Sequence, residues 1–186
     1  MKMSKFGYFA EFVLFPPLVI LATLIGLHRP MPPPPLACLA VFVAGLLAWT
    51  LLEYLLHRGL FHHAPILSAI HARHHESPND LIGTPAWASV LIAVIAVASP
   101  AWAMLGFDFG TAATAGLVCG YLWYVLVHYA AHHWQPRPGS YLYRTRMRHA
   151  QHHHQSEQGN FGVTTSLWDH VFGTTLEAPS ARRARR

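Results

Sequence analysis

Four stretches of this chain, residues 12–27, 36–56, 85–105 and 111–131, are apolar almost throughout. Three of them are about 20 residues long, which as helix crosses the roughly 30 Å hydrocarbon core of a bilayer. The first is shorter, and residues 6–11 extend it. Hydrophobic residues make up 53% of the chain and charged residues 11%, and the apolar ones are grouped rather than scattered. That composition belongs to a membrane protein, since lipid can cover apolar surface that water would expel.

The punctuation between the runs is clear. Residues 27–35 form a proline-rich stop that no helix continues through. Gly83-Thr84-Pro85 restarts the chain, and Gly106 to Gly110 reads as a tight turn. Pro136-Arg137-Pro138-Gly139 ends the fourth run, and Tyr141 to Gln155 fits a short helix. The basic start followed by an apolar run resembles a signal peptide, but no small-residue cleavage site follows. It reads as a retained helix, kinked at Pro16-Pro17. The expected fold is an all-α integral membrane bundle of four transmembrane helices in a single domain, residues 1–186. The spans are placed at about 8–27, 36–56, 85–105 and 111–131. A cytosolic-side helical cap comprises 57–84 and 132–175, and a basic tail follows from 176 to 186.

An even number of spans puts both termini on one side. Under that topology 12 of the 13 cationic residues share that side, Arg29 being the exception. The positive-inside rule makes it cytoplasmic. The formal charge of +5 therefore reads as membrane topology and not as a nucleic-acid surface. Cys38 and Cys119 each lie within an apolar run and offer neither a disulfide framework nor a zinc CxxC pair.

The same topology gathers 14 of the 15 histidines on the cytoplasmic side, leaving out His28. Ten of them form an ordered pattern: His57 with His62, then His71, His74 and His75; His128 with His132, then His149, His152 and His153. Each HxxHH box, and the pair His128/His132, lies on one helical face. His57 and His62 are five apart, which a regular helix does not align, so local unwinding near Gly59 is expected. Neutral imidazole is a good ligand for iron, zinc and copper. Ten are too many for one ion; shared between two they give about five each, with room for an exchangeable ligand. The chain has no HExxH, against a zinc protease, and too few carboxylates for a ferritin-like di-iron site. His63, His133, His154 and His170 adjoin the pattern without fitting it. Glu53, a charge inside a span, is expected to accept the free N–H of a liganding imidazole. Asp80 and Asp169 are further candidates for that role, and Asn160 for holding a metal-bound water or making a turn.

These boxes, with Glu53-Tyr54-Leu55-Leu56 before the first pair and Trp168-Asp169-His170-Val171-Phe172-Gly173-Thr174 near the end, resemble the fatty acid hydroxylase / sterol desaturase superfamily. The resemblance runs from about residue 50 to 175 and is most similar to the fatty acid 2-hydroxylase branch. It implies an oxidoreductase with two iron ions on the ten histidines (zinc being able to replace them in isolated protein), O2, two electrons, and a fatty acyl or lipid substrate. Arg144 or Arg148 is a candidate for the substrate's head group. The cytochrome b5 domain that such enzymes often carry is not in this sequence, so a separate electron donor is expected: a cytochrome b5, a ferredoxin or a reductase. Three other readings compete: a lipid or sterol desaturase of the same superfamily, a b-type cytochrome with paired haem-ligating histidines, and a non-catalytic metal carrier. Spans without polar residues other than Glu53 weigh against the carrier.

Overall fold

The computed structural model describes residues 2–177 and is built of helices. In chain order these are α1 (Lys5–Phe9), α2 (Glu11–Leu27), α3 (Pro35–Leu55), a π-helical turn (Leu56–Phe61) and α4 (Pro65–Glu76). Then follow α5 (Ala86–Ile92), a second π-helical turn (Ala93–Ala98), α6 (Ser99–His133), α7 (Tyr141–His154) and α8 (Leu167–Val171). Three continuous segments are long and apolar enough to cross a membrane: Lys5–Gly26, Pro35–Phe61 and Ala86–His133. This is a membrane protein. Its large apolar side chains are outside: Val13, Ile20, Leu21, Leu39, Leu47, Ile92, Ile95 and Met104 are all more than half exposed. A water-soluble fold would bury them. The basic tail from residue 178 onward lies outside the described residues.

The chain divides into two compact units. The first comprises residues 1–50 and 80–123, the second 51–79 and 124–186. Within the first unit, the expected turn from Gly106 to Gly110 is narrower than predicted. Only Gly106 leaves helical geometry, with φ 73° and ψ 169°, and residues 107–110 already belong to the next helix. The left-handed φ suits a residue without a Cβ. The chain doubles back there: a Cβ on Gly110 would lie 2.7 Å from the Trp102 nitrogen, where a straight helix would separate residues eight apart by about 12 Å. The Trp102 and Phe107 rings stack across the reversal, and Trp102 Nε1 donates to Thr111 Oγ1 at 3.1 Å. Helix α2 runs through Pro16 and Pro17, and Ala10, between α1 and α2, keeps helical dihedrals.

Two polar residues that hydropathy passed over also sit in this unit. Glu11 is 3% exposed and accepts from Tyr121 Oη at 2.6 Å, and Asp108 pairs with Arg29 at 3.3 Å. Glu53 is thus not the only acid in the apolar segments. Close packing of α3 on α6 depends on glycine. Gly116 faces the backbone of Phe42 and Leu46, Gly45 faces Ala113 and Leu117, and a Cβ on Gly120 would lie 2.6 Å from Trp49 Cβ. Gly116 and Gly120 form a GxxxG pair, the spacing that lets two helix backbones approach in lipid.

The second unit contains the end of α3, the first π-helical turn, α4, the end of α6, α7, a loop over residues 155–166, and α8. Ser140 caps α7 by accepting from Tyr143 N at 3.2 Å. Its most buried side chains include Tyr54, His152, Val127, Val163, Asn160, Thr145 and Asp169. Most of these are polar or ring nitrogen groups, so the unit is organised around hydrogen bonds as much as apolar contact.

A Gly116→Leu variant should lose on the order of 1–3 kcal/mol through overpacking, read as a lower thermal midpoint in detergent. Gly59→Ala serves as the control, since a Cβ there meets nothing within 4 Å and the midpoint should hold or rise.

Candidate metal centre

All ten patterned histidines lie in the second unit, and they fall into two groups of five. The first is His57, His62, His71, His75 and His152; the second is His74, His128, His132, His149 and His153. Within each group the ligand atoms are all within 4.8 Å of one another. Each spaced pair joins the outer histidines of its own box, and the middle histidine of each box crosses to the other group. The π-helical turn resolves the five-residue spacing. Its wider i→i+5 turn brings the His57 and His62 rings to 5.3 Å, nearly parallel.

The Nε2 atoms face inward. In the first group His57 and His71 are 3.1 Å apart, His71 and His75 3.0 Å, and His62 and His152 3.3 Å. In the second, His74–His128 is 3.0 Å, His128–His132 3.3 Å, His132–His149 2.9 Å and His149–His153 3.1 Å. Nitrogens bound at about 2.1 Å to one ion at adjacent corners of an octahedron would be about 3.0 Å apart. Each group therefore has the donor set and the spacing to hold one transition-metal ion. The two groups abut: His75 of the first stacks on His153 of the second at 4.1 Å and 11°.

The loop after α7 orients the first group from behind. His57 Nδ1 donates to the Phe161 carbonyl at 2.6 Å and His152 Nδ1 to the Gly159 carbonyl at 2.8 Å. With Nδ1 carrying the proton, Nε2 presents its lone pair to the centre. Here the structure corrects the expected role of two carboxylates. Glu53 and Asp169 do not touch an imidazole; they hold the loop whose carbonyls do. Glu53 accepts from Val163 N at 2.6 Å, Thr164 N at 2.9 Å and Thr164 Oγ1 at 2.5 Å. Asp169 accepts from Phe161 N and Gly162 N, each at 2.9 Å, and Thr174 Oγ1 at 2.8 Å.

Asn160 makes the turn. Its φ is 55°, its Nδ2 donates to Arg148 O and Gln151 Oε1, and its Oδ1 accepts from Leu176 N. Those bonds occupy both amide hydrogens, so it does not donate to a water. Asp80 pairs with Lys2 at 2.8 Å within the first unit. His28, His63 and His170 each turn Nδ1 to a carbonyl of their own helical turn, and His133 stacks on Tyr129.

One residue that the spacing did not single out is Glu157. Its carboxylate stands 3.3 Å from His75 Nδ1 and 3.9 Å from His62 Nδ1. It belongs to no motif, and its only signal in sequence is being the acid that follows the last box.

Burial and crowding keep the imidazoles outside the apolar segments neutral. Loss of water, then the charge of neighbouring imidazoles, pushes His71 down to about 2 and His74 to about 3. Loss of water, followed by repulsion from His75 and His62 against a Gly159 bond that works the other way, brings His152 to about 3. His149 and His153 are lowered in the same sense.

Comparison with known proteins follows the same residues. A family model described as fatty acid hydroxylase matches residues 42–174. Fatty acid 2-hydroxylases of Rattus norvegicus and Homo sapiens are each 36% identical, over 74% and 75% of this chain and 40% of their own length. A dihydroceramide fatty acyl 2-hydroxylase of Arabidopsis thaliana is 35% identical over 70% of this chain and 58% of its own. The chain thus spans about two fifths of the mammalian relatives. A solved structure of full-length scs7p, with only the hydroxylase domain visible, superimposes with a TM-score of 0.77 at 30% identity. It covers 92% of this chain and 67% of that one.

The depressed imidazoles predict how the metal-free protein responds to acid. Below the ordinary value of 6.5 the unfolded chain takes up protons that the folded nest refuses. Stability is then lost as pH falls from about 6.5 towards about 3. The thermal midpoint of metal-free protein in detergent should be lower at pH 5 than at pH 7.5; an unchanged midpoint would contradict the neutral nest.

Proposed function

The chain belongs to the fatty acid hydroxylase family, and from that premise we propose that it is a di-iron oxygenase that hydroxylates the acyl chain of a membrane lipid. Two groups of five inward-facing imidazoles, sharing a wall, carry this reading. The names of the 2-hydroxylase relatives point to the carbon next to the carbonyl. The overall reaction is R–H + O2 + 2e⁻ + 2H⁺ → R–OH + H2O. Two bound irons supply the redox chemistry that cleaves O2 and attacks a C–H bond. The electrons come from a separate donor such as a cytochrome b5, a ferredoxin or a reductase.

The protein's own contribution is orientation and exclusion of water. His57 and His152 are locked by loop carbonyls with their lone pairs inward. The other eight complete two donor sets of five, which would leave room for an exchangeable ligand if each held one ion. The exposed apolar faces of α2, α3 and α6 suit a substrate that arrives from lipid rather than from water.

We read the membrane topology as four spans. The segment Ala86–His133 is 48 residues, which as straight helix would run about 72 Å, more than twice the hydrocarbon core. The reversal at Gly106 divides it into two. Both termini and the metal centre then lie on the cytoplasmic side, which the distribution of arginine and lysine favours. The ten ligands are those named above.

Expression in cells grown under 18O2, followed by mass spectrometry of lipids, tests the activity. The expected product is an acyl chain heavier by one labelled oxygen. A loss of two hydrogens instead would replace hydroxylation with desaturation. Alanine at His74 or His152 should abolish product and lower the iron content below two per chain. Product that persists with full iron loading would overturn the assignment.

A further inference from the structure

The two imidazole groups are equal in number and unequal in what stands behind them. In the first, His57 and His152 each donate Nδ1–H to a backbone carbonyl. His62 and His75 turn Nδ1 toward the Glu157 carboxylate, at 3.9 Å and 3.3 Å. Two of its five rings are therefore hydrogen-bonded to an oxygen behind them, and two more face a carboxylate without bonding it. In the second group the Nδ1 atoms of His149 and His153, like that of His75 in the first, are buried with no hydrogen-bond partner. Among the described residues, no carboxylate or carbonyl bonds the Nδ1 of any of the five.

An oxygen behind Nδ1–H fixes the ring's rotation and tautomer and makes the inward nitrogen a stronger donor. Loss of such a partner typically costs metal affinity by about 10- to 100-fold. Glu157 adds a full negative charge near two ligands of one ion only. Its side chain is 60% exposed, so it reaches the nest from the water side. The 3.3 Å contact to His75 is close but not aligned as a hydrogen bond. A ligated imidazole is a more acidic N–H donor than a free one, and an exposed side chain can turn to accept it.

We propose that the two metal sites are inequivalent: the site of His57, His62, His71, His75 and His152 holds its ion more tightly, and Glu157 is a positioning residue that makes it so. This rests on the di-metal reading above, and on this chain's own residues rather than on turnover.

The test uses the full chain in detergent, loaded with zinc and challenged with excess chelator. Zinc is counted as it leaves. Two ions should depart in two phases. Glu157→Gln should quicken the slow phase about 10- to 100-fold and leave the fast phase unchanged. Glu76→Gln removes the same charge from an exposed position and should change neither. His62→Ala should remove the slow phase and His132→Ala the fast one. A single phase for both ions would overturn the inference, as would a Glu157→Gln effect shared equally by both phases or matched by Glu76→Gln. Each of these leaves the di-metal reading standing. A chain that binds no zinc would overturn both.

Discussion

Nitrogen lone pairs brought within about 3 Å of one another are the constraint on which the rest of the second unit depends. Neutral imidazoles with their free nitrogens converging repel, and a proton shared along one edge relieves only that edge. A cation at the centre of each group relieves all five at once. Charging the rings instead is closed off by burial and by the neighbouring rings, which hold His71 and His74 far below their ordinary value. The nest is therefore poised for metal: destabilising for the polypeptide alone, and stabilising once an ion supplies the missing charge.

Such convergence needs an outer frame that does not yield. The loop over residues 159–164 provides it, with a left-handed asparagine at its start and two buried carboxylates gripping its amides. Glu53 and Asp169 each accept three hydrogen bonds, enough to make a buried acid tolerable. Both lie near the ends of the matched region, one on α3 and one on α8, so a single loop ties the two ends of the family's motif together. Arg58 adds a further tie by donating to Tyr54 Oη, which in turn meets Thr174.

Much of the gathering of the histidines was legible because its information is local. Spacing of three and four on a helix fixes which ring faces which way, so the boxes announce themselves without tertiary knowledge. The five-residue gap between His57 and His62 even announced its own irregularity, which the structure resolves as a π-helical turn. What remained hidden was contact between residues distant in sequence. Nothing local to Glu53 says that its partners are amides more than a hundred residues away. Glu11 and Tyr121 are as far apart, and hydropathy averages Glu11 into an apolar run. The reversal at Gly106 was half legible: a glycine-rich break was readable, but its confinement to one residue depends on how Trp102 and Gly110 pack.

The crosswise sharing of the boxes follows from the α-helix itself. At about 100° per residue, positions i and i+4 differ by only about 40°, while i+3 and i+4 diverge by about 100°. The outer two histidines of HxxHH thus lie about 40° apart, with the middle one about 60° to the other side of the first, and here the outer two join one group while the middle one joins the other. If a single metal were the target, the middle residue would be wasted. With two, it becomes the donor that each helix lends to its neighbour's ion. The parallel stack of His75 on His153 is where the two donor sets touch. Moving either helix would therefore disturb both groups of imidazoles.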